Sequence, residues 1–189
     1  MATDPTQWIV TEAPVQLPER AINKHTKLTV AHVTLPDGVE FEQTVMRVRP
    51  ASMCALVNDR QEVLMARRHR FIPDLWVWEL PGGYVDESED AAACAARETE
   101  EETGWRPATV EHLCSFQPMT GNADALNHVY IGLDPTKVSD KLDINETAET
   151  AWIPLADVSE MIRTNVLGAA SVIGLLAARD YCASRPADS

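Results

Sequence analysis

The chain has 189 residues, enough for one domain with a sizeable core and no disulfide support. Hydrophobic residues at 45% and charged residues at 24% are those of an ordinary globular protein. With 29 acidic against 16 basic residues, a net charge of −13, general nucleic-acid binding is excluded, because that needs basic residues to displace counterions.

No apolar run reaches the length of a membrane span; the stretch from Val166 to Ala178 is too short. The first ten residues, MATDPTQWIV, carry no basic segment followed by an apolar one, so no secretion signal is expected. Cys54, Cys94, Cys114 and Cys182 are widely spaced with no CxxC pair, and reduced thiols in a cytoplasmic protein are the simplest expectation.

In chain order, residues 27–34 and 39–48 are rich in β-branched and aromatic residues and flank Pro36-Asp37-Gly38, which predicts a hairpin. Two more strands are expected at 52–57 and 62–66, separated by the polar Asn58-Asp59-Arg60. Another runs from Trp76 to Leu80 and is stopped by Pro81-Gly82-Gly83. The clearest helix follows, from Ser88 to Thr103, rich in Ala, Glu and Arg and ended by Gly104. Strands are expected at 108–116, at 127–133 and around Ala151–Ile153. The tail from Leu155 to Ser184 has helical periodicity with a break near Thr164-Asn165 or Gly168. Strands, one central helix, strands again and then helix predict an α/β (α+β) fold in which a mixed sheet is sandwiched between helices.

On the central helix Glu98, Glu101 and Glu102 stand three and four residues apart and share one face. Like charges so placed destabilise a bare helix, and a hard divalent cation held by oxygen ligands offsets that repulsion. A solvated acidic face is the ordinary explanation of such a cluster. The flanking residues argue otherwise. The segment reads Gly83, five residues, Glu89, seven residues, Arg97-Glu98, then Glu101-Glu102 and Gly104.

This pattern resembles the signature of the Nudix hydrolase family, with every fixed identity at its spacing. Thr99 and Trp105 stand where the signature has aliphatic residues, positions that bear on packing more than on chemistry. Arg97 is expected to pair with Glu89 or Glu101. The resemblance implies that Glu98, Glu101 and Glu102, with the carbonyl of Gly82, bind Mg²⁺, with Mn²⁺ as a substitute. Gly82 and Gly83 are expected to turn the backbone sharply there. An all-oxygen donor set suits Mg²⁺ better than Zn²⁺. The general base implied comes from the loop before the last strand, with Glu146 first and Glu149 second; Glu101 remains an alternative.

The flanks resemble the ADP-ribose and nucleotide-sugar pyrophosphatase branch: the run from Pro50 through His69-Arg70-Phe71 to Glu79-Leu80-Pro81-Gly82-Gly83, and Trp152-Ile153-Pro154-Leu155 before a C-terminal helix. On that resemblance residues 1–49 form an N-terminal antiparallel β extension, 50–185 the catalytic domain and 186–189 a tail. A small nucleotide, ADP-ribose first, is the expected substrate, with Arg70 and Arg47 as phosphate or ribose contacts and Phe41 or Trp8 as a stacking aromatic. The loop from Thr120 to Asn127 is expected to line the pocket. Pro118 lies earlier than the branch proline, which leaves the choice between ADP-ribose and other nucleotide sugars, such as GDP- or UDP-sugars, open. NADH is a further alternative, and a nucleoside triphosphate ranks lower because members that cleave triphosphates tend to lack the N-terminal extension. A non-catalytic nucleotide-sugar-binding regulator is the alternative of another class. The branch also implies a homodimer formed through the N-terminal strands.

Overall fold

The computed structural model describes residues 9–17, 24–140 and 147–185. Its elements in chain order are β1 (Ile9–Pro14), β2 (Thr26–Thr34), β3 (Glu40–Val48), β4 (Ala51–Leu56), β5 (Glu62–Arg70), β6 (Leu75–Glu79), β7 (Gly82–Tyr84), α1 (Ala91–Thr103), β8 (Trp105–Arg106), β9 (Thr109–Phe116), β10 (Ala123–Asp124), β11 (Asn127–Leu133), β12 (Thr136–Lys137), β13 (Glu149–Pro154), a 3-10 turn (Leu155–Asp157), α2 (Val158–Thr164) and α3 (Ala169–Ser184). They fall into two compact units, Met1–Arg49 with Gln117–Leu126, and Pro50–Phe116 with Asn127–Ser189.

In the first unit the expected hairpin forms, with Ile9–Pro14 added along its outer side. The strand order is β1-β2-β3-β10, antiparallel except for the short parallel β10. The β2–β3 turn closes as the Pro36-Asp37-Gly38 signal predicts, with Leu35 N–H donating to Val39 O at 2.8 Å.

The second unit is built on strand alternation. Successive side chains of a strand point to opposite faces. Met53, Ala55 and Val57 therefore join Val129 and Ile131 in one cluster with Val158, Met161 and Leu175 of α2 and α3. Cys54 and Leu56 point the other way, to a second cluster with Leu64 and Ala95 of α1. The sheet β7-β4-β11-β9 is mixed, because β4 and β11 run parallel while the outer pairs are antiparallel. Helices thus cover both of its faces, as the element order predicts. Leu56 and Leu175 are fully buried, and each such side chain contributes about 2 kcal/mol of transfer free energy.

A three-stranded sheet, β13-β5-β6, and the β8–β12 ribbon complete the unit. The break in the C-terminal helical pattern spans both expected places, with α2 ending at Thr164 and α3 beginning after Gly168. From α3, Ser171 Oγ accepts the Leu80 N–H at 3.1 Å, which fixes the chain just before Pro81-Gly82-Gly83.

Candidate active site

The central helix begins at Ala91 rather than Ser88, because Asp90 caps it: its Oδ2 accepts the N–H groups of Ala92 at 3.0 Å and Ala93 at 3.3 Å. Ser88 has φ 71°, outside helical backbone. At the other end Gly104 takes φ 70° and its N–H bonds back to Glu100 O at 2.8 Å. Ser52 of β4 donates its hydroxyl to Ala91 O at 2.6 Å, anchoring the first turn to the sheet.

Gly82 and Gly83 do not make the sharp turn expected of them. They form strand β7, paired with Met53 and Ser52 of β4. Their small size is needed for close approach instead. A Cβ on Gly82 would lie 2.5 Å from Ser52 O, and one on Gly83 would lie 2.6 Å from Cδ of Glu98. The Glu98 carboxylate therefore rests directly on the Gly83 backbone.

Arg97 organises the acids around it. Its Nε and Nη2 grip both oxygens of Glu89 at 2.8 and 3.0 Å. Its Nη1 donates to Glu98 at 2.7 Å and to Glu101 at 2.9 Å. One guanidinium thus serves both partners expected of it and a third. This grip lowers the Glu89 carboxyl from its ordinary 4.5 to about 2 and holds Arg97 above its ordinary value. Burial pushes the neighbouring Cys94 thiol up to about 12.

Glu102 lies apart from that cluster, 2% exposed. Its Oε2 accepts Nη2 of Arg68 at 2.6 Å and the Gly82 N–H at 3.1 Å. Burial raises its pKa, and the bond from Arg68 and then the Gly82 N–H act against that rise. Nε of Arg68 also lies 3.4 Å from Glu79, whose carboxylate accepts Nε of Arg70 at 3.0 Å.

The two departures from the signature serve packing. Thr99 is fully buried, and its hydroxyl is satisfied by Ala95 O at 2.6 Å. Trp105 meets Trp152 edge to face at 5.2 Å.

The second unit sets Glu98 on the Gly83 backbone and Glu102 on the Gly82 N–H, with Glu101 beside Glu98 on Arg97, and Arg70 is linked to Glu102 through Glu79 and Arg68. Among the described residues no three His, Cys, Asp or Glu side chains form a group that could hold a metal ion; Arg97 engages Glu98 and Glu101, and Arg68 engages Glu102. The donor chemistry nevertheless suits a hard divalent cation: three carboxylates and backbone oxygen beside the two glycines that open β7. Glu149 lies on β13 with its carboxylate on Arg67 at 2.9 Å. Glu146 and Trp8 lie outside the described residues. In the first unit Arg47 pairs with Glu12 and with Asp124, the latter at 3.0 Å, and Phe41 is 37% exposed on β3. Gly121 of the 120–127 loop accepts the Gln43 side chain in the same unit.

Sequence reasoning missed Arg68 and Glu79. The signal was strand alternation: Arg68 shares the face of Leu64, which packs with α1, and Glu79 stands opposite Ala66 on that face. A cavity of about 470 Å³ between Arg60, Trp105, Asp134 and Trp152 includes none of the α1 glutamates.

The NUDIX domain profile matches residues 46–173. The chain is 43% identical over 162 residues to a CMP-5'-(N-acetyl-N-hydroxy-3-aminopropyl)phosphonate hydrolase of Streptomyces rubellomurinus, covering 84% of this chain and 79% of that protein. It is 26% identical over 139 residues to an ADP-ribose pyrophosphatase of Bacillus subtilis, covering 72% and 75% respectively. The fold matches the crystal structure of an ADP compounds hydrolase with a TM-score of 0.81, 17% identity, and coverage of 96% and 97%.

Proposed function

The chain belongs to the Nudix hydrolase family, in its ADP-ribose pyrophosphatase branch, and on that premise we propose that it hydrolyses, with Mg²⁺, the P–O–P link between a nucleoside 5'-monophosphate and a second group. The observation that carries this reading is the seating of the glutamates on the β7 backbone, Glu98 against Gly83 and Glu102 on the Gly82 N–H. Glu98, Glu101, Glu102 and the Gly82 carbonyl hold the metal in this reading. A bound Mg²⁺ would supply positive charge to offset that of the phosphates and would lower the pKa of a water.

The chain's own residues do the rest. Arg97 holds Glu89, Glu98 and Glu101 in register, so the acids are placed before substrate arrives. A carboxylate takes the proton from the attacking water, and Glu146 is the residue we assign to this task. Glu149, whose carboxylate meets Arg67 at 2.9 Å, and Glu101, 60% exposed at its side chain and on Arg97 at 2.9 Å, are the alternatives. Arg70, half-exposed, offers its fork to a phosphate on leaving Glu79.

ADP-ribose, giving AMP and ribose 5-phosphate, is the substrate to which the flanking residues point. The 43% identity to a CMP-phosphonate hydrolase favours a second reading, a CMP-linked phosphonate cleaved to CMP and the free phosphonate. By extent of similarity the second is the stronger. Incubation with Mg²⁺ and both compounds, beside GDP- and UDP-sugars and NADH, with products identified by mass, decides between them. Turnover of none of these compounds would falsify the hydrolase assignment for this substrate class. Glu98→Gln is expected to lower turnover at least about 100-fold with the fold intact, and Glu146→Gln to do so if that residue is the base.

We assign the protein to the cytoplasm as a homodimer joined through its N-terminal strands. The support for the dimer is β1, which pairs on one side only among the described residues and exposes all six of its residues, Ile9 at 66%. Light scattering should give twice the chain mass, and a monomer at micromolar concentration would remove this part of the proposal.

A further inference from the structure

Arg68 has no place in the glutamate signature, yet it is the residue through which the buried acid Glu102 meets the rest of β5 and β6. It is 7% exposed. Both hydrogen bonds that Glu102 accepts among the described residues converge on Oε2, from Arg68 at 2.6 Å and from the Gly82 N–H at 3.1 Å. On its other side Arg68 faces Glu79 at 3.4 Å, and Glu79 in turn binds Arg70.

We propose that Arg68 is a positioning residue for the metal: with the Gly82 N–H it pins one oxygen of Glu102, so that Oε1 is the oxygen presented to the cation, and through Glu79 it ties that ligand to Arg70. This rests on the assignment of Glu102 as a metal ligand. A carboxylate held at one oxygen by two donors cannot rotate freely, so the ligand is ordered before the ion arrives. Arginine suits the place because its planar fork keeps its charge when buried and reaches two carboxylates at once, which an ammonium point charge does less well. Removing an outer partner of this kind typically weakens metal affinity 10- to 100-fold.

Mn²⁺ titration without substrate, followed by the loss of the free-ion paramagnetic resonance signal, tests this on the whole protein. Arg68→Gln is expected to weaken Mn²⁺ binding roughly 10-fold or more, and Arg68→Lys by less. In a Glu102→Gln background Arg68→Gln should add less than about 2-fold, because its effect runs through that carboxylate; general structural damage would add its full effect there. A folded Arg68→Gln that binds Mn²⁺ as tightly as the parent overturns the proposal, and where that variant does not fold, unchanged affinity in Arg68→Lys does the same. If the parent protein binds no Mn²⁺, the metal site itself fails. If the parent binds and the Arg68 variants match it, only the role of Arg68 fails.

Discussion

Arg97 holds three carboxylates, and two of them, Glu89 and Glu98, are largely shielded from water. Shortening it leaves like charges facing one another with their shared donor gone. Arg97→Ala should therefore destabilise the fold by about 2 kcal/mol in urea unfolding, the scale of charged hydrogen bonds lost from partly buried acceptors. Part of that loss should return on adding Mg²⁺, which can stand in for the missing positive charge. The pH dependence follows from the same contact. The folded Glu89 titrates at about 2 against its ordinary 4.5, so its contribution to stability is complete above 4.5 and disappears as pH falls toward 2. In Arg97→Ala its pKa should rise toward the ordinary value, which carboxyl chemical shifts during an acid titration would report; a Glu89 that still titrates near 2 would show that another group holds it. Glu102 has the opposite sign. Its raised pKa means that its contribution is greatest below the unfolded value and is lost as pH rises through the folded one.

At the scale of elements, the two glycines that bound the acidic segment do different work, and alanine separates them. Gly104 combines φ 70° with a Cβ position that would overlap the Ser139 carbonyl oxygen, and the Val138 and Ser139 N–H groups bond to Gly104 O and hold the two backbones together. Gly104→Ala should cost more than about 2 kcal/mol of stability, combining left-handed strain with a backbone clash. Gly83→Ala meets only the far end of the Glu98 side chain, which can swing aside. That variant should melt within a few degrees of the parent while losing most of its turnover, and unchanged activity would remove Glu98 from the working site. Much of this region was legible in the sequence, because the spacing of the acids on α1 is a local property of a 3.6-residue helix. The β2–β3 hairpin and the break before α3 were legible because their signals are local as well. The role of Gly82 and Gly83 was not, since their pairing with Met53 and Ser52 joins residues some 30 positions apart. Strand β1 escaped notice likewise: its β-branched residues Ile9, Val10 and Thr11 are only three before Glu12-Ala13-Pro14, and the long-range register from Ile9 to Thr34 is what makes the segment a strand. Arg68 and Glu79 belong to this group too, being visible only once β5 is known to turn its even-numbered face toward α1.

Over the whole molecule the net charge is −13, and the described structure buries or half-buries several acids on one helix. Two kinds of cation effect must then be told apart. Any salt screens the general repulsion of an acidic surface, and divalent ions do so more strongly at equal concentration. A specific site adds stability by mass action, about 2.7 kcal/mol when free Mg²⁺ stands at 100 times its dissociation constant. For a domain of this size that corresponds to a rise in melting temperature of roughly 5 to 10 °C. Melting curves should therefore rise with Mg²⁺ well beyond the change produced by KCl at matched ionic strength. The excess should disappear in Glu98→Gln, where general screening is almost unchanged because only one charge in the surface has been removed. Equal shifts with KCl and Mg²⁺ in the parent would mean that the acids of α1 are screened as surface charge and do not gather around an ion, and an excess that survives in Glu98→Gln would mean that the ion binds without Glu98.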